Sequence, residues 1–125
     1  MIGIDIVNIE RIKKFSERFG NKALEKFLSQ NEISLAKNIN TVAGFYAAKE
    51  AISKALGLGI SQNCGFFDIQ IHKETNGAPY FTLSKKLIEE FGITDTSLSI
   101  THDGEYAIAV AVIESKKKRI KPLSH

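Results

Sequence analysis

The sequence predicts an α+β protein in which an antiparallel sheet packs against one long helix, and three observations carry that reading. Apolar residues recur at helical spacing through the first half of the chain. From Phe67 onward the period changes to two, and Asn76-Gly77 interrupts the alternation as a hairpin turn does. At 125 residues, 43% hydrophobic and 25% charged, residues 1–125 have the composition of a single globular domain with its own core. A domain of this size buries roughly two thirds of its unfolded surface, enough to stand without disulfides or a structural metal. The single Cys64 forms no internal bridge and suits a reducing cytoplasm. No apolar run approaches the roughly 18 residues needed to cross a bilayer, and residues 1 to 10 lack the basic start of an export signal.

Taken in order, Ile2 to Val7 read as a short strand with Asp5 near its end. Asn8 caps a helix from Ile9 to Phe19, whose Ile12, Phe15 and Phe19 form one apolar face and which Gly20 stops. One or two short helices follow between Asn21 and Asn38, with Ala23, Leu24, Phe27, Leu28, Ile33, Leu35 and Ala36 as core. Thr41 is the expected cap of the longest helix, Val42 to Leu56, closed by Gly57; its five alanines favour helix and allow close approach of another element. Phe67 to Ile71 and Pro79 to Leu83 form a hairpin around a type I′ turn at Asn76-Gly77. Ser84 caps a short helix to Phe91, and strands Ser97 to Thr101 and Tyr106 to Ile113 meet at the turn His102 to Glu105.

The net charge of +3 is a property of the tail: Lys116, Lys117, Lys118, Arg119 and Lys121 lie within it, and the rest of the chain has 12 basic against 14 acidic residues. A basic tail over about 115–125 reads as a solvated end or as an anion-binding arm. A nucleic-acid-binding protein would need a basic body, a glycine-aromatic motif or a recognition helix, and none is present. Arg11, Lys14 and Arg18 form a stripe beside the apolar face of the first helix, either a solvated face or a surface that one partner touches together with the apolar residues.

Glu50 and Lys54 stand four apart on the long helix, the spacing of an ordinary ion pair, with Lys49 before them and Gly57-Leu58-Gly59 one turn on. This is no phosphate loop, because the glycines follow the helix instead of preceding it. A phosphate there meets the unfavourable end of the dipole and requires Lys54 or a metal in compensation. Asp5 is either a solvent-facing strand residue or, if it converges with Glu50, one of two oxygen ligands of the kind that hold Mg²⁺. His102, near Ser99 and Thr101 at a strand end, fits a structural role or a phosphate or ribose contact. Cys64, in an apolar setting beside Phe66, reads as packing.

Gly3-Ile4-Asp5-Ile6 and Arg11, Phe45-Tyr46-Ala47-Ala48-Lys49-Glu50-Ala51 through Lys54-Ala55, Asn76-Gly77-Ala78-Pro79, and Ser99-Ile100-Thr101-His102 together resemble the holo-acyl-carrier-protein synthases, the short bacterial type of 4′-phosphopantetheinyl transferase. The resemblance spans nearly the whole chain and implies the fold of that family. It also implies a reaction: the phosphopantetheine arm of coenzyme A passes to a serine of apo acyl carrier protein, releasing adenosine 3′,5′-bisphosphate, in support of fatty acid biosynthesis. By the same resemblance Asp5 and Glu50 are the Mg²⁺ ligands. Lys54 stabilises the departing phosphate, and Glu50 or, preferably, a metal-bound water takes the serine proton. Gly57, Gly59, Asn76, Pro79, Ser99 and His102 line the coenzyme A site with Lys54. Arg11, Lys14 and Arg18 dock the acidic carrier protein, and a homotrimer places sites between protomers. Where many relatives carry a basic residue before the aromatic of the middle motif, this chain has Phe45, so one phosphate or nucleotide contact is expected to be missing. The rival that keeps the fold is a catalytically silent module that binds carrier protein or coenzyme A.

Overall fold

A computed structural model describes residues 1–117; the expected tail beyond Lys117 lies outside the described residues. Strand β1 (Ile2–Asn8) runs into helix α1 (Ile9–Phe19), where the Asn8 side chain accepts from the Arg11 amide as the sequence predicts. Two short helices follow, α2 (Asn21–Leu24) and α3 (Gln30–Leu35), then the long α4 (Ile39–Ala55). Hairpin strands β2 (Ile69–Lys73) and β3 (Pro79–Leu83), helix α5 (Lys85–Phe91) and strands β4 (Ile93–Asp103) and β5 (Tyr106–Ser115) complete the order. The α+β class holds. Its strands form two antiparallel sheets, β1-β5-β4 and the separate hairpin β2-β3.

Helix α4 is the spine. Val42, Ala43, Phe45, Ala47, Ala48, Ala51, Ile52 and Ala55 are all buried, so the helix is packed on nearly every side. The alanines bring the sheet close: a Cβ on Gly3 of β1 would lie 1.9 Å from the Ala51 carbonyl oxygen and 2.6 Å from the Ala55 nitrogen. Only glycine permits that seam. On β1, alternation sends Gly3, Asp5 and Val7 toward α4 and leaves Ile2, Ile4 and Ile6 outward, 72, 59 and 58% exposed. Their register partners Val112, Val110 and Ile108 extend this outer apolar face across β5.

Four local expectations need correction. Asn38, not Thr41, caps α4, its side chain accepting from the Thr41 amide; the helix therefore starts three residues earlier than Val42. Phe67 belongs to a 3-10 turn, Phe66–Asp68, because the Asp68 carboxylate folds back onto the Gly65 amide. The hairpin turn is not type I′, for among the described residues none other than glycine has positive φ; Gly77 (φ 89°) instead donates to the Glu74 carbonyl. Strand β4 begins at Ile93, not Ser97, since pairing with β5 as far as Ser115 recruits the polar Thr94-Asp95-Thr96 run across a register shift.

Candidate active site

The side of α4 that the core leaves open carries Tyr46, Glu50 and Lys54 at successive i, i+4 positions. Tyr46 and Glu50 are half-buried and Lys54 is exposed. Asp5 approaches this stripe from β1. The Lys54 ammonium donates to Asp5 Oδ1 at 2.8 Å and to the Ile4 carbonyl at 3.3 Å, with the lysine side chain 52% and the aspartate 15% exposed. The helical ion pair expected between Glu50 and Lys54 gives way to this cross-element pair, because the Gly3 seam brings Asp5 within reach of the lysine.

Asp5 and Glu50 feel one another electrostatically. Burial, then repulsion from Asp5, pushes the Glu50 carboxyl above its ordinary value, opposed by the Tyr46 hydroxyl and by the charges of Lys54 and Arg11. Hydrogen bonding to Asp5 raises Lys54, so its ammonium persists across the neutral range. Two hard oxygen donors on separate elements, with a cation already seated against one of them, fit Mg²⁺, which takes one or two protein carboxylates and fills its other positions with water and phosphate oxygens. Among the described residues no cluster of three or more His, Cys, Asp or Glu offers a rival metal site.

Two cavities open along α4. One, of about 420 Å³, is walled by Arg11, Ile12 and Phe15 of α1, Lys26 and Phe27, Tyr46 and Phe66. The Phe27, Tyr46 and Phe66 rings pack with centroids 5.2 to 6.0 Å apart. The stripe residues Arg11, Lys14 and Arg18 are all exposed on α1, and Arg11 alone of them also lines this cavity. The other cavity, of about 140 Å³, lies between α4 (Thr41, Gly44, Phe45), the hairpin (Lys73, Gly77, Pro79) and β4 (Ile100, His102). His102 Nε2 pairs with the Asn40 carbonyl oxygen at 2.8 Å, which holds the ring at the cavity mouth.

The remaining sequence-predicted residues divide. Pro79 and His102 share the hairpin cavity. Asn76 is at the turn, its side-chain oxygen accepting from the Ala78 amide. Gly57 and Gly59, both at positive φ, follow α4 past Lys54, where the Gly59 amide returns to the Ser53 carbonyl. Ser99 faces away from α4: it is in register with Val110, the partner of Ile4, and so sits on the opposite face from Asp5. Lys49 does not join the cluster with Glu50; it is wholly buried on another side of α4 against Glu32. Sequence reasoning missed Lys73, whose ammonium lies 5.9 Å from the Phe45 ring centre. That hairpin lysine brings a cation to Phe45, where the resemblance implied a missing one, and only the fold connects the two positions.

A family model described as the 4′-phosphopantetheinyl transferase superfamily matches residues 1–111, which defines the class. A holo-[acyl-carrier-protein] synthase of Sulfurimonas denitrificans is 61% identical over 115 residues, covering 92% of this chain and 95% of that protein. The crystal structure of the Helicobacter pylori holo-[acyl-carrier-protein] synthase in complex with coenzyme A superposes with a TM-score of 0.88 at 50% identity, covering 91% of this chain and all of that one. A Bacillus anthracis synthase in complex with CoA (3′,5′-ADP) gives a TM-score of 0.77 at 37% identity, over 92% and 96% of the two chains. The chain belongs to the holo-acyl-carrier-protein synthase family.

Proposed function

We propose that this transferase works from the Asp5, Glu50 and Lys54 centre, and that Mg²⁺ held by the two carboxylates is its cofactor. The chain moves the 4′-phosphopantetheine arm of coenzyme A to a serine of apo acyl carrier protein, giving holo carrier protein and adenosine 3′,5′-bisphosphate. The observation that carries the site assignment is the open stripe of α4, which presents Glu50 and Lys54 directly opposite Asp5. Bound there, Mg²⁺ supplies charge neutralisation and polarisation at the pyrophosphate. Asp5 and Glu50 hold and orient it; a carboxylate so engaged is a poor base, so Glu50 is assigned the holding role. Lys54, kept protonated by Asp5, offsets the negative charge that builds on the adenosine bisphosphate oxygen as the pyrophosphate P–O bond breaks, while the serine oxygen bonds to phosphorus and gives its proton to water. Lys73 and His102 are assigned to the nucleotide end of coenzyme A in the hairpin cavity.

Arg11, Lys14 and Arg18 on α1 are assigned to the acidic carrier protein, whose encounter they steer. The outer face of Ile2, Ile4 and Ile6 is a surface for further copies of the chain, and a homotrimer accounts for Ser99, which a neighbouring protomer's site reaches where its own does not. Among the described residues no helix is long and apolar enough to cross a membrane, and a cytoplasmic location is proposed from the chemistry of the reaction.

The test is the intact mass of an apo acyl carrier protein after incubation with this protein, coenzyme A and Mg²⁺. A gain of one phosphopantetheine arm, abolished by EDTA and by Asp5→Ala, is expected. A gain that persists in EDTA would remove the metal from the reading. No gain despite binding of both substrates would turn it to the silent binding module.

A further inference from the structure

Lys49 and Glu32 form an ion pair at 2.7 Å with both side chains 0% exposed, away from the reacting groups. Every proton of the ammonium has an acceptor: Glu32 Oε1, the Phe27 carbonyl at 2.7 Å and the Phe66 carbonyl at 3.0 Å. The carboxylate is as fully used. Its Oε1 also accepts from the Ser29 amide and its Oε2 from the Ile71 amide, each at 2.8 Å. Five segments thus meet on one pair: α4 through Lys49, α3 through Glu32, the 27–29 connection, the turn at Phe66, and strand β2.

We infer that this pair is a positioning element for coenzyme A: it locks the β2-β3 hairpin to α4 and so sets the width of the cavity between them. The inference rests on assigning the nucleotide end to that cavity. Three physical points carry it. The hairpin lies outside the three-stranded sheet, and two strands alone are marginally stable in water, so its place is set by what it packs against: the buried Ile69, Ile71 and Phe81 and this polar tie. Ile71, anchored by Glu32, is two residues from Lys73, which with Pro79 forms one wall of the cavity while Gly44 and Phe45 of α4 form the other. A desolvated ion pair is seldom better for stability than apolar residues of equal volume, so its full set of bonds is better explained by the geometry it enforces. Asp5 is brought up to α4 elsewhere, on β1 beside the Gly3 seam on Ala51.

The pair therefore acts on substrate binding and leaves the chemical step alone. In the charge-neutral double variant Glu32→Gln/Lys49→Met, KM for coenzyme A is expected to rise about tenfold while kcat stays within about threefold. Amide hydrogen exchange over 69–73 should quicken. Gln70→Ala removes a milder tie, the bond from Gln70 Nε2 to Ser29 Oγ at 2.8 Å, leaves the Ser29 cap of α3 in place, and serves as the test if the double variant does not fold. It should raise the same KM by about twofold to fivefold at constant kcat. An unchanged KM with unchanged hairpin exchange overturns the inference, as does a loss of activity that only tracks the unfolded fraction. Coenzyme A that fails to slow exchange in the hairpin of the unaltered protein would instead sink the cavity assignment beneath it.

Discussion

Gly3→Ala adds one methyl group at the closest approach of sheet and helix. That carbon would lie 1.9 Å from the Ala51 carbonyl oxygen, against at least 3.4 Å for an ordinary contact, so β1 must retreat by about 1.5 Å or α4 must bend. Both neighbours are backbone, and neither can swing aside as a side chain does. Overpacking of this kind costs about 1 to 3 kcal/mol, and at about 4 °C per kcal/mol for a domain of this length Tm should fall by about 4 to 12 °C. The effect on function is larger. Asp5 is two residues along on the same face, so the strand carries it away from Glu50 and Lys54, and a displacement near 1 Å at a reacting centre costs about 100-fold in rate. The assay is the initial rate of carrier-protein mass gain at saturating substrates, with circular dichroism at the same temperature to show that the variant is folded. A Gly3→Ala protein whose Tm lies within a degree or two of the parent and whose rate lies within twofold would refute the seam as the device that holds Asp5 against α4.

Glu50→Gln is expected to keep the fold and lose transfer, and to abolish the rise in Tm that the proposed Mg²⁺ site predicts for the parent, a binding readout independent of turnover. Because the Glu50 carboxyl is raised by burial and by Asp5, the metal-free folded protein holds that proton more tightly than the unfolded chain does. Its contribution to stability is complete below the ordinary glutamate range and is lost as pH rises through the raised value, so Tm should fall across that window in the parent and stay flatter in Glu50→Gln. Reversing Arg11 and Lys14 to glutamate should raise KM for the carrier protein about tenfold at low salt, leave KM for coenzyme A alone, and flatten the salt dependence of kcat/KM. Cys64 is fully buried and its thiol is pushed up to about 11 by burial, so alkylation at pH 7.5 should be negligible until denaturant opens the core.

Elements governed by local chemistry were legible in the sequence. The Asn8 cap and Gly20 stop of α1, the burial of Cys64 and the run of buried alanines on α4 follow from residue type and spacing, and the structure repeats them. The start of α4 and the hairpin turn were missed by a choice between neighbouring residues of similar chemistry, Asn38 against Thr41 and a glycine alone against an Asn-Gly pair. The site was legible as a set of residue types and not as a geometry. Asp5 and Lys54 are 49 residues apart, and no periodicity shows that a glycine two positions earlier lets them meet. Glu32 was invisible for the same reason. The capping box it forms with Ser29 has a clear local signature, but its partnership with Lys49 and the Ile71 amide exists only after β2 has packed. Lys73 follows the pattern, a strand-end lysine with no motif until the hairpin folds toward Phe45.

The outward row of Ile2, Ile4 and Ile6, continued by Ile108, Val110 and Val112, bears on how the protein comes into being. Strands β1 and β4 are both sheet edges, so a newly folded chain shows a greasy face bordered by unpaired backbone, the surface most prone to join its like in the wrong register. Two encounters compete for it: orderly association with other copies, and sticking edge to edge. Both depend on concentration, and only the first, in the proposed homotrimer, would cover the row in a fixed register. Thermal stability should accordingly climb with protein concentration, and polar replacements along the row should give a more soluble chain that is a poorer transferase.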